Sequence, residues 1–302
     1  RPQAAERRGI DYASVRAWRE DVIHLSISAY GQDGPMSEQP GYDPLMQAYA
    51  GIISVTGQPG GPPTRVGGSV VDFGTGMWGA IAVLAALRER DATGQGASVE
   101  ASLMDTSLAW VSYHMMGYLA TGEVPGPMGS SLGAIAPYRA FQTTDGHVMI
   151  ASGNDSIFGR LCLALDLPDL PADERFSSNP RRVESREVLD PLVEARTRAC
   201  STEDLLSLLR EHSVPASAIQ SIADVVEDEQ VLAAGMVPIV PNERAEGYRD
   251  VSLPVRLNDE RPRGEHPPPR SGEHTNELLA ELGFTTDEVE RLRADGAVEA
   301  AG

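Results

Sequence analysis

The sequence predicts an α/β chain in two domains, and three observations carry that prediction. Over residues 1–120, short β-branched runs alternate with longer Ala- and Leu-rich runs, the pattern of strands and covering helices. Residues 121–136 then break the periodicity with Gly, Pro and Ser, as a linker loop does. A hairpin pattern at 138–151 opens a smaller α+β block, expected over 137–240. Residues 241–302 complete the division as a Pro- and Arg-rich linker followed by C-terminal helices. A chain of 302 residues is long enough for two such cores.

Taken in order, residues 4–20 read as a helix and its exit. Asp21–Ser28 is a buried strand by its Val-Ile-His-Leu-Ser-Ile run. Residues 29–40 form a loop, broken by Gly31, Gly34, Pro35 and Pro40. Asp43 before Pro44 fits the cap of the next helix. Gly57–Pro63 is a second loop. Ser69-Val70-Val71, bounded by Gly67-Gly68, reads as a short buried strand that ends at Asp72. From Phe73 to Arg90 the pattern is that of an apolar helix of about 17 residues, with arginines in its last turn. Ala97–Leu103 alternates like a strand, and Asp105 is a candidate cap for a helix reaching about Leu119. The hairpin strands at 138–143 and 147–151 flank Thr144-Asp145-Gly146. Helices are expected at 156–166, 186–200, 202–212 and near 221–235, and further helices begin at Glu273 and Thr286.

The centre of the chain is Asp72. On spacing alone it is an N-cap, because Asp is a favoured capping residue. The second reading is a reactive carboxylate: a helix N-terminus favours the anion, and the flanking glycines let a substrate approach. An ionised carboxylate can act as a covalent nucleophile. Asp105 competes for both roles. Gly74-Thr75-Gly76-Met77-Trp78-Gly79 also matches a dinucleotide fingerprint, but the acidic residue expected about 20 positions on falls in a turn at 90–96.

Composition excludes several classes. A net charge of −19 argues against a nucleic-acid groove, and any phosphate site must be a local arginine cluster. The chain has no Lys, which removes a Lys Schiff base and a Walker-type lysine. Its six histidines are scattered and its two cysteines, Cys162 and Cys200, have no ligand spacing, so no metal site is expected. No continuous apolar run of about 18 residues and no signal sequence is visible, so the sequence reading expects neither a membrane span nor export but a reduced, cytoplasmic setting.

Several stretches together resemble the class III CoA-transferases, the CaiB/BaiF-like group of formyl-CoA transferase, carnitine CoA-transferase and α-methylacyl-CoA racemase. They are SISAYGQDGP at 26–35, PGYD at 40–43, GPPTRVGGSVVDFGTG at 61–76, IAVLAALRER at 81–90, TGQG at 93–96 and SLMD at 102–105. Further along come PYRAFQTTDG at 137–146, ASGND at 151–155, RFSSNPRRVESR at 175–186, VP at 214–215 and GEHTNELLAELGF at 272–284.

The resemblance implies a Rossmann-like large domain completed by the C-terminal tail, a smaller α+β domain, and an interlocked homodimer. It implies transfer of coenzyme A from an acyl-CoA to a carboxylic acid, with both as substrates and no tightly bound cofactor. The family's nucleophile falls on Asp72, which settles the competition with Asp105. The reaction expected is an aspartyl anhydride followed by an aspartyl-CoA thioester, with amides at the helix start stabilising the oxyanion. The resemblance makes Tyr42, Asp43, Gly67 and Gly68 neighbours of the reacting group. Gly129 and Gly133 belong to a mobile glycine loop that shields it. Ala4 and Arg7 fall on positions that contact CoA. Tyr42 stands where the racemase branch has histidine, which favours transfer over epimerisation of a 2-methylacyl-CoA. The family usually begins about a hundred residues earlier, so the chain is expected to lack that segment, and an inactive fragment is the third alternative.

Overall fold

The computed structural model describes residues 2–262 and 266–299. The chain divides into two compact units, Arg1–Ile219 and Gln220–Gly302. In the first, α1 (Pro2–Glu6) and α2 (Tyr12–Arg16) lead to β1 (Ile23–Ser28). After α3 (Asp43–Tyr49) and α4 (Ile52–Val55), the 24-residue α5 (Val70–Thr93) crosses over to β2 (Ala97–Ser102). The two strands pair in parallel from Ile23 opposite Ala97 to Ser28 opposite Ser102, a β-helix-β unit. Arg90, in the last turn of α5, ties the helix end to the start of β1 by donating to Asp21 O at 3.3 Å.

Glycines set how close α5 lies to its neighbours. A Cβ on Gly79 would come within 2.9 Å of Leu25 on β1, and one on Gly74 within 2.7 Å of the Trp110 ring. α6 (Leu103–Trp110) and α7 (Ser112–Thr121) follow.

Two sequence expectations change here, the strand at 69–71 and the burial of 21–28. The run Ser69-Val70-Val71 is not a strand: α5 begins at Val70, and Asp72 is its third residue rather than its cap. The fingerprint glycines therefore lie inside a helix and pack it, so they form no strand-to-helix phosphate loop. Asp21–Ser28 is largely half-buried rather than buried, and among the described residues β1 pairs with β2 alone. The sequence also hides an apolar span. By length and composition α5 could cross a membrane, its best window having mean hydropathy 1.7, because Gly and Thr interrupt the run without lowering that mean far. The same composition suits a helix packed through glycines on a sheet.

The rest of the first unit is built on an antiparallel sheet. β3 (Tyr138–Gln142) pairs with β4 (His147–Ala151), which pairs with β5 (Ala216–Ala218). Against it pack α8 (Asp155–Ala164), α9 (Asn179–Glu184), α10 (Arg186–Thr197) and α11 (Thr202–Glu211). Phe141, Val148 and Ile150 from the sheet meet Phe158, Leu161, Phe176, Leu189 and Leu209 in one core. The second unit carries α12 (Ile222–Glu227), α13 (Glu229–Ala233), α14 (Thr275–Glu281) and α15 (Thr286–Ala294). Ser221 with Asp224 and Thr285 with Glu288 form capping boxes at the starts of α12 and α15.

Candidate functional site

The start of α5 has no cap of its own, since the Ser69 side chain accepts no backbone hydrogen bond there. The cap comes from another helix. Asp43, at the start of α3 and 2 % exposed, turns its carboxylate onto α5. Its Oδ2 accepts from the Val71 N–H at 2.7 Å and the Asp72 N–H at 3.4 Å. Its Oδ1 accepts from Gln47 Nε2 at 2.5 Å, one helical turn on. Gln47, fully buried, closes the brace: its Oε1 accepts from the Val66 N–H at 2.9 Å. Two residues of α3 thus fix both ends of the Val66–Val71 turn. Asp43 caps α5 rather than its own helix, which sequence spacing could not reveal. Gln47 was missed altogether, although its i,i+4 spacing from a carboxylate on a helix was a signal.

Asp72 projects from this turn as an exposed carboxylate, and its oxygens accept no hydrogen bond from the described residues. Partial desolvation, and then the negative charge of Asp43, push its pKa above the ordinary 3.8. That corrects the expectation that the helix N-terminus would favour its anion. The first-turn amides at 71 and 72 already serve Asp43, so Asp72 meets that carboxylate's charge instead of the free dipole end. The same fact removes those two amides as oxyanion donors. The Gly67 and Gly68 N–H groups have no acceptor among the described residues, and both glycines are exposed. Arg65 folds over the turn, donating through Nη1 to Val66 O at 3.0 Å and, more weakly, to Gly67 O at 3.4 Å.

Asp72 lines an open depression of about 610 Å³ with Ser69, Phe73, Gly76 and Met77. Across Phe73 lies an apolar hollow of about 510 Å³, walled by Val66, Val70, Trp110, Tyr113 and His114. Trp110 holds that wall to α5 by donating its indole N–H to Val70 O at 3.3 Å. Tyr42, the residue before Asp43, is 71 % exposed. The rival Asp105 is not a cap, since Ser102 accepts from the Asp105 N–H and caps α6.

The remaining site candidates lie elsewhere. The Gly129 N–H donates to Gly57 O at 2.7 Å, which rests the glycine loop on the segment leading into Arg65–Ser69. Gly133 sits beside Met128 and is held through its carbonyl by Arg186. Ala4 lies on α1 and Arg7 just past it, exposed; no hydrogen bond among the described residues joins either to Asp72. Burial pushes the Cys162 thiol up to about 12, which removes it as a nucleophile. No cluster of three metal-ligating side chains occurs among the described residues.

The sequence profile of CoA-transferase family III matches residues 1–275. The chain is 34 % identical over 274 residues to the succinate–glutarate CoA-transferase of Agrobacterium fabrum, covering 91 % of this chain and 68 % of that one. It is 32 % identical over 295 residues to the succinyl-CoA:mesaconate CoA-transferase of Haloarcula marismortui, covering 96 % and 74 %. Its fold matches the crystal structure of a CaiB/BaiF family protein from Brucella suis with a TM-score of 0.79 at 35 % identity, covering 93 % and 73 %. The chain belongs to CoA-transferase family III, and with it to an enzyme family of transferases.

Proposed function

We propose that the chain transfers coenzyme A from an acyl-CoA to a carboxylic acid, with Asp72 as the covalent nucleophile. The observation that carries this is an exposed carboxylate, unpaired among the described residues, whose pKa is raised by desolvation and by the buried Asp43 behind it. A carboxylate made more basic attacks better than an ordinary one.

The steps balance as exchanges of one acyl bond for another. Asp72 attacks the thioester carbonyl; the C–S bond breaks and an aspartyl anhydride forms with free CoA thiolate. The thiolate attacks the aspartyl carbonyl, releasing the donor acid and leaving an aspartyl-CoA thioester. The acceptor carboxylate attacks that thioester, giving a second anhydride and thiolate. The thiolate then takes the acceptor acyl group and frees Asp72. Such steps need positioning and oxyanion stabilisation more than acid–base power. The unengaged amides of Gly67 and Gly68 are suited to the oxyanion. The loop carrying Gly129 and Gly133 shields the intermediates from water. Tyr42 supplies the exposed ring beside the site, Arg7 a cation for a CoA phosphate and Ala4 its neighbouring contact.

A homodimer of the interlocked kind is part of this reading. Its support is the apolar row Phe73, Met77, Ile81 and Leu84 along α5, exposed between 54 % and 75 %. The parallel β1–β2 pair with α5 crossing over supports a Rossmann-like assignment.

The test offers a panel of acyl-CoAs, succinyl-CoA first, with hydroxylamine as trap, and reads the protein by peptide mass spectrometry. A hydroxamate or CoA adduct is expected on Asp72. Asp72→Ala is expected to lose transfer by on the order of 10⁴-fold or more with its melting curve retained. Transfer undiminished in Asp72→Ala overturns the proposal.

A further inference from the structure

The motif RFSSNPRRVESR at 175–186 has no part in the chemistry above, yet three of its side chains converge on one short piece of backbone. Arg186 donates through Nη2 to Leu132 O at 2.7 Å, Ile135 O at 2.8 Å and Gly133 O at 3.2 Å. Asn179 grips the same stretch from both sides: its Nδ2 donates to Ala134 O at 2.8 Å, and its Oδ1 accepts from the Ala136 N–H at 3.2 Å. Arg182 donates from Nε to Ala136 O at 2.8 Å. Every carbonyl from Leu132 to Ala136 is therefore held by a side chain of α9 or the start of α10.

The grip is one-sided. Downstream, Leu132 N–H reaches Tyr138 O at 3.1 Å, and the Ala140 N–H donates to Ser130 Oγ at 3.0 Å, so 130–140 folds back on β3. Upstream, Gly122 and Glu123 bond only within their own turn, and Val124 is 82 % exposed. Among the described residues, only half of the segment expected to be mobile is free of such ties. Between the halves stands Gly129, whose N–H leans on Gly57 O, and the 57–64 loop runs directly into Arg65–Ser69 and Asp72.

We propose that Asn179, Arg182 and Arg186 are positioning residues for the transfer reaction: they form a clamp that fixes the Leu132–Ala136 backbone, and so aims the preceding Gly126–Ser131 segment at the Asp72 turn. This rests on the reading of Asp72 as the acylated residue. Arg186 Nη1 has no protein partner among the described residues, so the guanidinium engages this backbone through Nη2. Nη2 carries two hydrogens for three carbonyls, so one of these bonds is shared, and an ammonium in its place would bring its donors on a more flexible stem.

What the clamp protects is the aspartyl-CoA thioester. If the segment drifts, water attacks the aspartyl carbonyl, the C–S bond breaks, the thiolate takes a proton, and Asp72 is regenerated with CoA lost as free thiol. Hydrolysis then competes with transfer.

Arg182 is fully buried, paired with Asp155 at 2.7 Å and stacked on Phe158, so its variants report on folding. The test uses Arg186→Leu, Arg186→Lys and Asn179→Ala, at half-buried positions, in the whole chain. Hydrogen exchange, read without any substrate, is expected to rise over 129–136 in Arg186→Leu and Asn179→Ala and to rise less in Arg186→Lys. With succinyl-CoA as donor and glutarate as acceptor, the ratio of CoA hydrolysis to transfer is expected to rise roughly tenfold or more in the same order. Raised exchange with an unchanged ratio overturns the positioning role and leaves an anchor of the fold. Unchanged exchange overturns the clamp itself. If the unmodified chain forms no acyl adduct at Asp72 with any acyl-CoA, the transfer reading fails and takes the shielding role with it, while the exchange data still decide whether the clamp holds the segment.

Discussion

Two regions of the first unit are held together in different ways. Around β3–β5, fifteen buried apolar residues form one core, and the fully buried Arg182 is bonded within it. Around Asp72 the corresponding cluster is four residues, Met46, Ile52, Val71 and Val111, and the helix that carries the site exposes Phe73, Met77 and Leu84. Bulk burial is therefore not what places the Asp72 carboxylate. A brace of named hydrogen bonds does so, from Asp43 and Gln47 on α3 to the amides of Val66, Val71 and Asp72. A region fixed by a few directional bonds can leave its surface open to a substrate, which a dense core cannot.

The largest effects test that contrast in stability. Phe141→Ala, at the centre of the larger core with no exposed surface, is expected to cost about 3–5 kcal/mol in urea unfolding. Met46→Ala is expected near about 2 kcal/mol, the low end for such truncations, because its neighbours border an open hollow and can settle. Equal costs would break the comparison. Next comes the brace. Asp43→Ala strands the buried Gln47 amide and uncaps α5, for about 1–3 kcal/mol. Because it also frees the Val66–Asp72 turn, transfer is expected to fall by roughly a hundredfold, out of proportion to the stability lost. Phe141→Ala, kept below its melting point, is expected to leave the rate nearly intact. A rate loss in Phe141→Ala as large as in Asp43→Ala would mean that the two regions are not separable.

The same contrast explains what could be read from sequence. The β3–β4 hairpin was legible because alternation and the Thr144-Asp145-Gly146 turn are local signals, and α10 and α11 because their apolar faces repeat along the chain. The start of α5 was not legible. Ser69-Val70-Val71 is a strand by local propensity, and it becomes helix because a carboxylate 28 residues back, at Asp43, caps it. The short α9 hid behind Asn179-Pro180, whose asparagine spends its side chain on the Ala134–Ala136 backbone. Asp72 itself came forward through motif resemblance and its place near a helix start. Gln47 and Arg186 needed coordinates, because their partners are backbone groups 19 and more than 50 residues away.

The smallest expected effect decides what charge Asp72 feels. Its pKa in the folded chain lies above the unfolded value, first through desolvation and then through Asp43. Between those two values the folded chain binds the proton more tightly than the unfolded chain does, so folding stability falls as pH rises through the window. Asp72→Asn removes that titration. Below the window the two proteins are expected to melt alike. As pH rises through the folded pKa the wild type should fall behind Asp72→Asn, and the gap should then stay constant towards neutrality. It should be small, because the carboxylate is exposed and water screens its repulsion from Asp43. In Asp43→Asn the gap should shrink without vanishing, since desolvation of Asp72 remains. Thermal melts of the four combinations across acid to neutral pH make the measurement. A wild type that gains on Asp72→Asn as pH rises would mean that the N-terminus of α5 stabilises the Asp72 anion after all, and that Asp43 caps the helix without opposing its charge.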